Sequence, residues 1–228
     1  MRKDLDISAY LVVGPENTMG RPVSDVIAQA LRAGFTCVQI RSKECSARDL
    51  IAYTIQAADV IAAAGKSKSV ALLVDDRLDV ALAAREAGAK VDGVHVGQTD
   101  IPVEVCRKLL GPDSIVGLSA RADEMPEYVK TADMSLVDYL GVGPLHETPT
   151  KTDCGLAADG TIITKSIDDL KELVCASPVP IVVGGGVKIA DIPLVKSTGV
   201  DGFFVVSAVC GAVNPEAAAR ELVDAWRD

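Results

Sequence analysis

Short apolar runs alternate along the chain with longer, alanine-rich stretches of helical period. The runs cover residues 10–13, 37–40, 71–74, 93–96, 115–118, 139–142, 181–183 and 202–206. Most are continuous rather than alternating, as expected of parallel strands covered on both faces. The periodic stretches include residues 24–33, 47–64, 78–87, 103–110, 167–174 and 216–225, which the spacing predicts to be helices. Ser24, with Pro22 before it, marks a helix start, and Pro215 sits where a first-turn proline is tolerated. Gly34, Gly88 and Gly199 fall near helix ends, where a left-handed cap favours glycine.

Eight strands alternating with helical segments predict a closed (β/α)₈ TIM barrel, with a doubly wound open sheet as the alternative. Such barrels typically need about 250 residues and can be as small as about 200. The 228 residues therefore read as one catalytic domain, 1–228. An internal similarity supports the barrel: Val91-Asp-Gly-Val-His-Val, Val137-Asp-Tyr-Leu-Gly-Val and Val200-Asp-Gly-Phe-Phe-Val share one spacing. Each follows a helix and enters a strand, as if one β/α unit recurs.

Composition narrows the function. Hydrophobic residues make up 49% and charged residues 24%, which is globular rather than disordered. Aromatics are 4% and the formal net charge is -9, so nucleic acid and anionic membranes are disfavoured and any polyanion site must be local. No segment approaches the roughly 18 apolar residues of a membrane span. The amino terminus is charged and lacks an apolar signal region, so a cytoplasmic location is expected. Cys37, Cys45, Cys106, Cys154, Cys175 and Cys210 show no C-x-x-C spacing and read as reduced thiols.

In a barrel the chemistry lies just beyond the carboxyl ends of the strands, and here those positions are polar and charged. Gln39, Arg41 and Lys43 alternate and so share one face of an extended segment. They suit a diphosphate, as fork and point charge, or form a solvated strand end. Asp75 and Asp76 follow the third strand and Asp100 the fourth. They read either as oxygen ligands for Mg²⁺ or as helix caps and turn residues. Ser119 follows the fifth strand. The sixth is followed by Gly141-Val-Gly-Pro-Leu-His-Glu-Thr-Pro-Thr-Lys151, a shaped loop suited to phosphate. Gly184-Gly-Gly186 and Val206-Ser207 end the seventh and eighth strands, where backbone N–H groups can approach a phosphate. His95 reads as a satisfied barrel-interior residue, His146 as a loop residue with no assigned role, and Trp226 as helix packing.

Together these motifs resemble the thiamine-phosphate synthase family. The resemblance runs over nearly the whole chain, through Gln39-Ile-Arg-Ser-Lys43, Asp75-Asp-Arg77, Gly93-Val-His-Val-Gly-Gln-Thr-Asp100, Gly117-Leu-Ser119, Gly141-Val-Gly-Pro144, Thr148-Pro-Thr-Lys151, Gly184-Gly-Gly186 and Val206-Ser207. It implies a transferase that joins 4-amino-2-methyl-5-hydroxymethylpyrimidine diphosphate to a thiazole phosphate, releasing diphosphate. By position it implies that Gln39, Arg41, Lys43 and Lys151 hold the pyrimidine substrate, with Ser119 in contact with it. Asp76 and Asp100 would hold Mg²⁺. Thr148, Thr150, Gly185 or Gly186, Val206 and Ser207 would bind the thiazole phosphate. Arg41, Lys43, Lys151 and Ser119 are the expected catalytic set. The expected partners are these small molecules, not nucleic acid or membrane, with a homo-oligomer or a fusion to another thiamine-pathway domain left open.

Two departures stand out. The family usually carries Asn-Asp where this chain has Asp75-Asp76, and an apolar or proline pair where it has His146-Glu147. Asp75 would bind metal or accept from the pyrimidine amino group instead of donating. The rival readings are a thiazole tautomerase-like barrel enzyme, which needs no diphosphate clamp, and a non-catalytic binder of thiamine precursors.

Overall fold

The computed structural model describes residues 5–119, 125–147 and 162–228. Eight parallel strands close a barrel in chain order: β1 Ala9–Val13, β2 Cys37–Ile40, β3 Ala71–Asp75, β4 Gly93–Val96, β5 Ile115–Leu118, β6 Tyr139–Val142, β7 Ile181–Val183 and β8 Gly202–Val205. The helices around it are α1 Val23–Ala33, α2 Ala47–Ala63, α3 Leu78–Glu86, α4 Val103–Leu110, α5 Met125–Thr131, α6 Ile167–Ala176, α7 Ile192–Lys196, α8 Ser207–Cys210 and α9 Pro215–Arg227. All eight expected strands form, within a residue of their expected ends. The short helices α5, α7 and α8 have too few turns to show a period in the sequence.

The continuous apolar runs have a direct explanation. Each strand is buried on both faces, and alternate residues enter different cores. Leu11, Val38, Val74, Val94, Val116, Leu140, Val183 and Phe203 point outward and pack under the helices. Tyr10, Val12, Cys37, Leu73, Ile115, Tyr139 and Val182 point inward and fill the barrel. Trp226 of α9 packs on Phe203, with ring centroids 5.5 Å apart.

The internal repeat turns out to be a clasp. Asp92 donates its N–H to the Leu72 carbonyl at 2.8 Å, and its carboxylate accepts the Leu72 N–H at 2.8 Å. Asp138 does the same to Val116, and Asp201 to Ile181, again at 2.8 Å in both directions. Thr36 plays this part toward Ala9, with its N–H on the carbonyl at 2.9 Å and its hydroxyl accepting the Ala9 N–H at 3.3 Å. Each clasp ties the entry of one strand to the strand before it, at the face of the barrel that sets stability rather than chemistry. Asp138 is also paired with Arg107 at 2.6 Å, both side chains being largely buried. Replacing Asp138 with alanine removes the acceptor of a buried N–H and strands a cation. The expected loss is about 3 kcal/mol, read from urea denaturation.

The first residue of one helix and the cap of another are corrected. Helix α1 begins at Val23 after Pro22, with no side-chain cap, so Ser24 does not start it. Neither Asp75 nor Asp76 caps α3, whose N-cap position is Arg77, again with no side-chain bond. Asn214 caps α9, with Pro215 in its first turn as expected. Gly34, Gly88 and Gly199 all have positive φ (108°, 90° and 87°), which fits glycine at helix ends.

Candidate active site

The strands' carboxyl ends open onto a cavity continuous with solvent. Its floor comes from inward-facing positions: Tyr10 and Val12 on β1, Gln39 on β2, His95 on β4 and Phe204 on β8. Its wall comes from the strand ends: Arg41, Ser119, Gly141, Gly185, Gly186, Val206 and Ser207. Glycine makes room for the rings. A Cβ on Gly141 would lie 2.8 Å from His95 Cε1 and 3.0 Å from Ser119 Oγ, and one on Gly184 would fall 2.1 Å from the Phe204 ring.

Buried polar side chains on this floor are joined in a line. Gln39 Nε2 donates to Tyr10 Oη at 2.6 Å, and Tyr10 Oη meets Tyr139 Oη at 2.8 Å. Tyr139 Oη lies 2.8 Å from His95 Nδ1, and His95 Nε2 lies 2.8 Å from Ser119 Oγ. Burial pushes both tyrosine phenols well above their ordinary pKa, so they stay protonated throughout the physiological range.

A charged cluster stands beside the cavity. Arg41 Nε lies 3.1 Å from Asp75 Oδ2, and the two side chains are 11% and 3% exposed. The Lys43 ammonium hydrogen-bonds the Asp76 carboxylate. Burial opposes that ammonium, but Asp76, helped by Asp75, more than offsets it and holds the Lys43 pKa above its ordinary value. Asp76 itself adopts a left-handed φ of 58°, uncommon outside glycine. Its N–H donates to the His95 carbonyl at 2.8 Å. Asp100 completes the group: burial, then its contact with the Asp76 carboxyl, raises its pKa, while the Gly97 N–H donated at 2.8 Å acts the other way. A turn bond and a place in the acidic pair are thus both true of Asp100.

The sixth-strand loop leans on the seventh. Leu145 and His146 donate their N–H groups to the Gly185 carbonyl at 3.0 Å, and His146 Nε2 lies 3.0 Å from Asp191 Oδ2. His146, given no role from the sequence, therefore ties this loop to the turn before α7.

The comparisons decide what this barrel is. A family profile described as thiamine monophosphate synthase matches residues 9–209. The chain belongs to the thiamine monophosphate synthase family. A thiamine-phosphate synthase of Albidiferax ferrireducens is 39% identical over 219 residues, covering 95% of this chain and 91% of that protein. One from Corynebacterium efficiens is 38% identical, covering 98% and 96%. The solved thiamine phosphate pyrophosphorylase of Pyrococcus furiosus superposes with a TM-score of 0.77 at 28% identity, covering 97% of this chain and 96% of that one. Membership makes the chain a transferase of thiamine biosynthesis.

For a member of the thiamine monophosphate synthase family, the expected site residues divide into three groups. Gln39, Arg41, Ser119, Gly185, Gly186, Val206 and Ser207 line the cavity together. Lys43, Asp75, Asp76 and Asp100 form the adjoining charged cluster, in which Asp75 pairs with Arg41 of the cavity wall. Thr148, Thr150 and Lys151 lie outside the described residues. The sequence reading missed Tyr10 and Phe204, which line the cavity, and Tyr139, whose hydroxyl meets that of Tyr10. A signal was present: each is an aromatic ring on the inward-facing alternation of its strand.

Among the described residues, no helix is long and apolar enough to cross a membrane. The cysteines Cys37, Cys45, Cys106, Cys175 and Cys210 are free. Cys154 lies outside the described residues.

Proposed function

We propose that this chain condenses 4-amino-2-methyl-5-hydroxymethylpyrimidine diphosphate with 4-methyl-5-(2-phosphoethyl)thiazole to give thiamine phosphate and diphosphate. The observation that carries this reading is the juxtaposition of Arg41, Lys43, Asp76 and Asp100 with a cavity floored by rings and Gln39. The charged cluster suits a diphosphate and the floor suits a flat heteroaromatic ring. Family membership and the full-length relatives support the same conclusion.

The donor set fits Mg²⁺. Among the described residues no group of three or more His, Cys, Asp or Glu is placed to hold a metal ion. Magnesium, however, takes one or two carboxylates and completes its shell with water and substrate phosphate. Asp76 and Asp100 are two such carboxylates, and burial, followed by their mutual contact, raises the Asp100 pKa. When bound, Mg²⁺ would neutralise charge developing on the leaving diphosphate.

In this reading the substrate C–O bond breaks first, the diphosphate keeps the electron pair, and a pyrimidine methylene cation remains. The thiazole nitrogen then supplies the pair for the new C–N bond. Arg41 and Lys43 stabilise the leaving oxygens electrostatically. Lys151 is assigned the same role, and Thr148 and Thr150 the thiazole phosphate, by position in the family motif. The backbone at Gly185, Gly186, Val206 and Ser207 holds the same phosphate across the cavity. No protein nucleophile is required. Free thiols at the described cysteines support a cytoplasmic setting for this chemistry.

The test is a product assay with both substrates and Mg²⁺, converting thiamine phosphate to fluorescent thiochrome, with EDTA in a parallel arm. Mg²⁺-dependent product is the expected result. Absence of product in folded protein overturns the reading. Gly141→Val is expected to push His95 and Ser119 out of place and lower kcat/KM for the pyrimidine substrate by about 10²-fold, with an unchanged circular dichroism spectrum.

A further inference from the structure

We propose that Tyr10, Tyr139 and His95 are positioning residues that give the line of hydrogen bonds from Gln39 to Ser119 a single direction. Ser119 then presents a donor to the cavity and Gln39 presents an acceptor. The argument is a proton count. The Gln39 amide nitrogen can only donate, so Tyr10 Oη accepts from it. The one Tyr10 proton then goes to Tyr139 Oη, 2.8 Å away, in preference to the weaker acceptor sulfur of the neighbouring Cys37, and the one Tyr139 proton goes to His95 Nδ1. Nδ1 is therefore bare, and the ring is the neutral tautomer with its proton on Nε2. That proton goes to Ser119 Oγ, leaving the serine hydrogen to turn into the cavity that Ser119 lines.

An imidazolium would break the sequence. It would donate from Nδ1 to Tyr139, the Tyr139 proton would turn to Tyr10, and Tyr10 would face two donors with only the weak acceptor sulfur of Cys37 left for its own proton. Protonated, deeply buried phenols fit the count, because a phenolate would have no proton to pass on. The ligand this polarity selects is a heteroaromatic ring with an acceptor nitrogen facing Ser119 and an exocyclic amino group facing the Gln39 carbonyl. An oxo-substituted ring, with donor and acceptor exchanged, meets like groups at both ends, which is where such sites discriminate most strongly. The choice of an aminopyrimidine rests on the proposed synthase reading, but the direction of the line does not.

Two measurements separate the two. The chain has 2 histidines, so imidazole ¹⁵N spectra of the intact protein can be assigned with His146→Asn. The expected result is His95 neutral at pH 7 with the proton on Nε2, changing to a mixture of tautomers in Tyr139→Phe. His95 with its proton on Nδ1, or doubly protonated, overturns the proposal whether or not the chain makes thiamine phosphate.

In the synthase assay, Tyr139→Phe keeps the ring that covers Gly117 and removes only the hydroxyl. KM for the pyrimidine diphosphate should rise about tenfold, the usual size for one buried hydrogen bond, with KM for the thiazole phosphate unchanged. In a Ser119→Ala background the same change should have no further effect. Additive losses would mean that Tyr139 does not act through Ser119 and would overturn the positioning role. Tyr10→Phe breaks the line one step further away and serves if Tyr139→Phe is unstable.

Discussion

Asp100→Asn is expected to lower Mg²⁺-dependent synthase turnover by about a thousandfold. Metal stabilisation of a leaving group contributes several kcal/mol, and each ~1.4 kcal/mol is tenfold in rate. The variant keeps the turn, because an amide oxygen still accepts the Gly97 N–H. Stability should move the other way. In metal-free protein Asp100 holds its proton more tightly folded than unfolded, so folding loses stability as pH rises from about its ordinary 3.8 through its raised folded value. Above that raised value the full cost is present, and Asn removes it. The metal-free variant should therefore melt above the wild type at pH 7, with the gap closing as pH falls toward 3.8. Mg²⁺ should raise the melting temperature of the wild type and not that of the variant. Unchanged turnover together with an unchanged Mg²⁺ shift would sink the metal assignment.

The second large effect belongs to Arg41. Its pairing with Asp75 is nearly shut off from water, so removing the guanidinium leaves a buried carboxylate without that charge. Breaking such a pair costs about 3–5 kcal/mol. At roughly 2–4 °C per kcal/mol for a chain of this size, Arg41→Ala should melt about 6–20 °C lower. Removing the carboxylate's charge as well, in Arg41→Ala with Asp75→Asn, should recover most of that loss. Activity should not return with it, since the diphosphate has lost its bidentate partner. Recovery of both would show that Arg41 is structural only. A single variant with wild-type melting would show that Asp75 does not depend on it.

The pairing also gives a reading of the residue by which this chain departs from its family's Asn-Asp. Asp75 is the last residue of β3 and faces the barrel interior, so its carboxylate sits where it can hold the guanidinium at the cavity wall. From the sequence, Asp75 looked like an added negative charge beside a diphosphate. In the fold much of that charge is taken up by Arg41.

The strands were legible because parallel strands buried on both faces leave uninterrupted aliphatic runs, and the site loops because polar residues begin where those runs stop. What stayed hidden was how the inward-facing residues pair. Gln39, His95 and Tyr139 each look like one polar or aromatic residue inside an apolar run. Gln39 meets Tyr10 29 residues away, His95 meets Tyr139 and Ser119 44 and 24 away, and Tyr139 meets Tyr10 129 away, at separations no local period marks. Arg41 and Asp75 meet only because β2 and β3 are neighbours in register. Two helix caps were hidden for a different reason: Pro22 and Arg77 occupy the N-cap positions without using a side chain, so the usual chemical signature is missing.

The four clasps at the barrel entry join β1 to β2, β3 to β4, β5 to β6 and β7 to β8. The barrel is thereby divided into quarters, each made of two strands and the helix that crosses between them. A circular permutant opened in the 65–69 turn or at 111–114 starts a new chain at a border between quarters and leaves every clasp within continuous sequence. One opened at 87–90 cuts between Leu72 and Asp92, so that a partner once 20 residues away becomes one reached from the opposite end of the chain. The points where this fold tolerates new termini should therefore alternate around the ring, every second β/α junction being permissive.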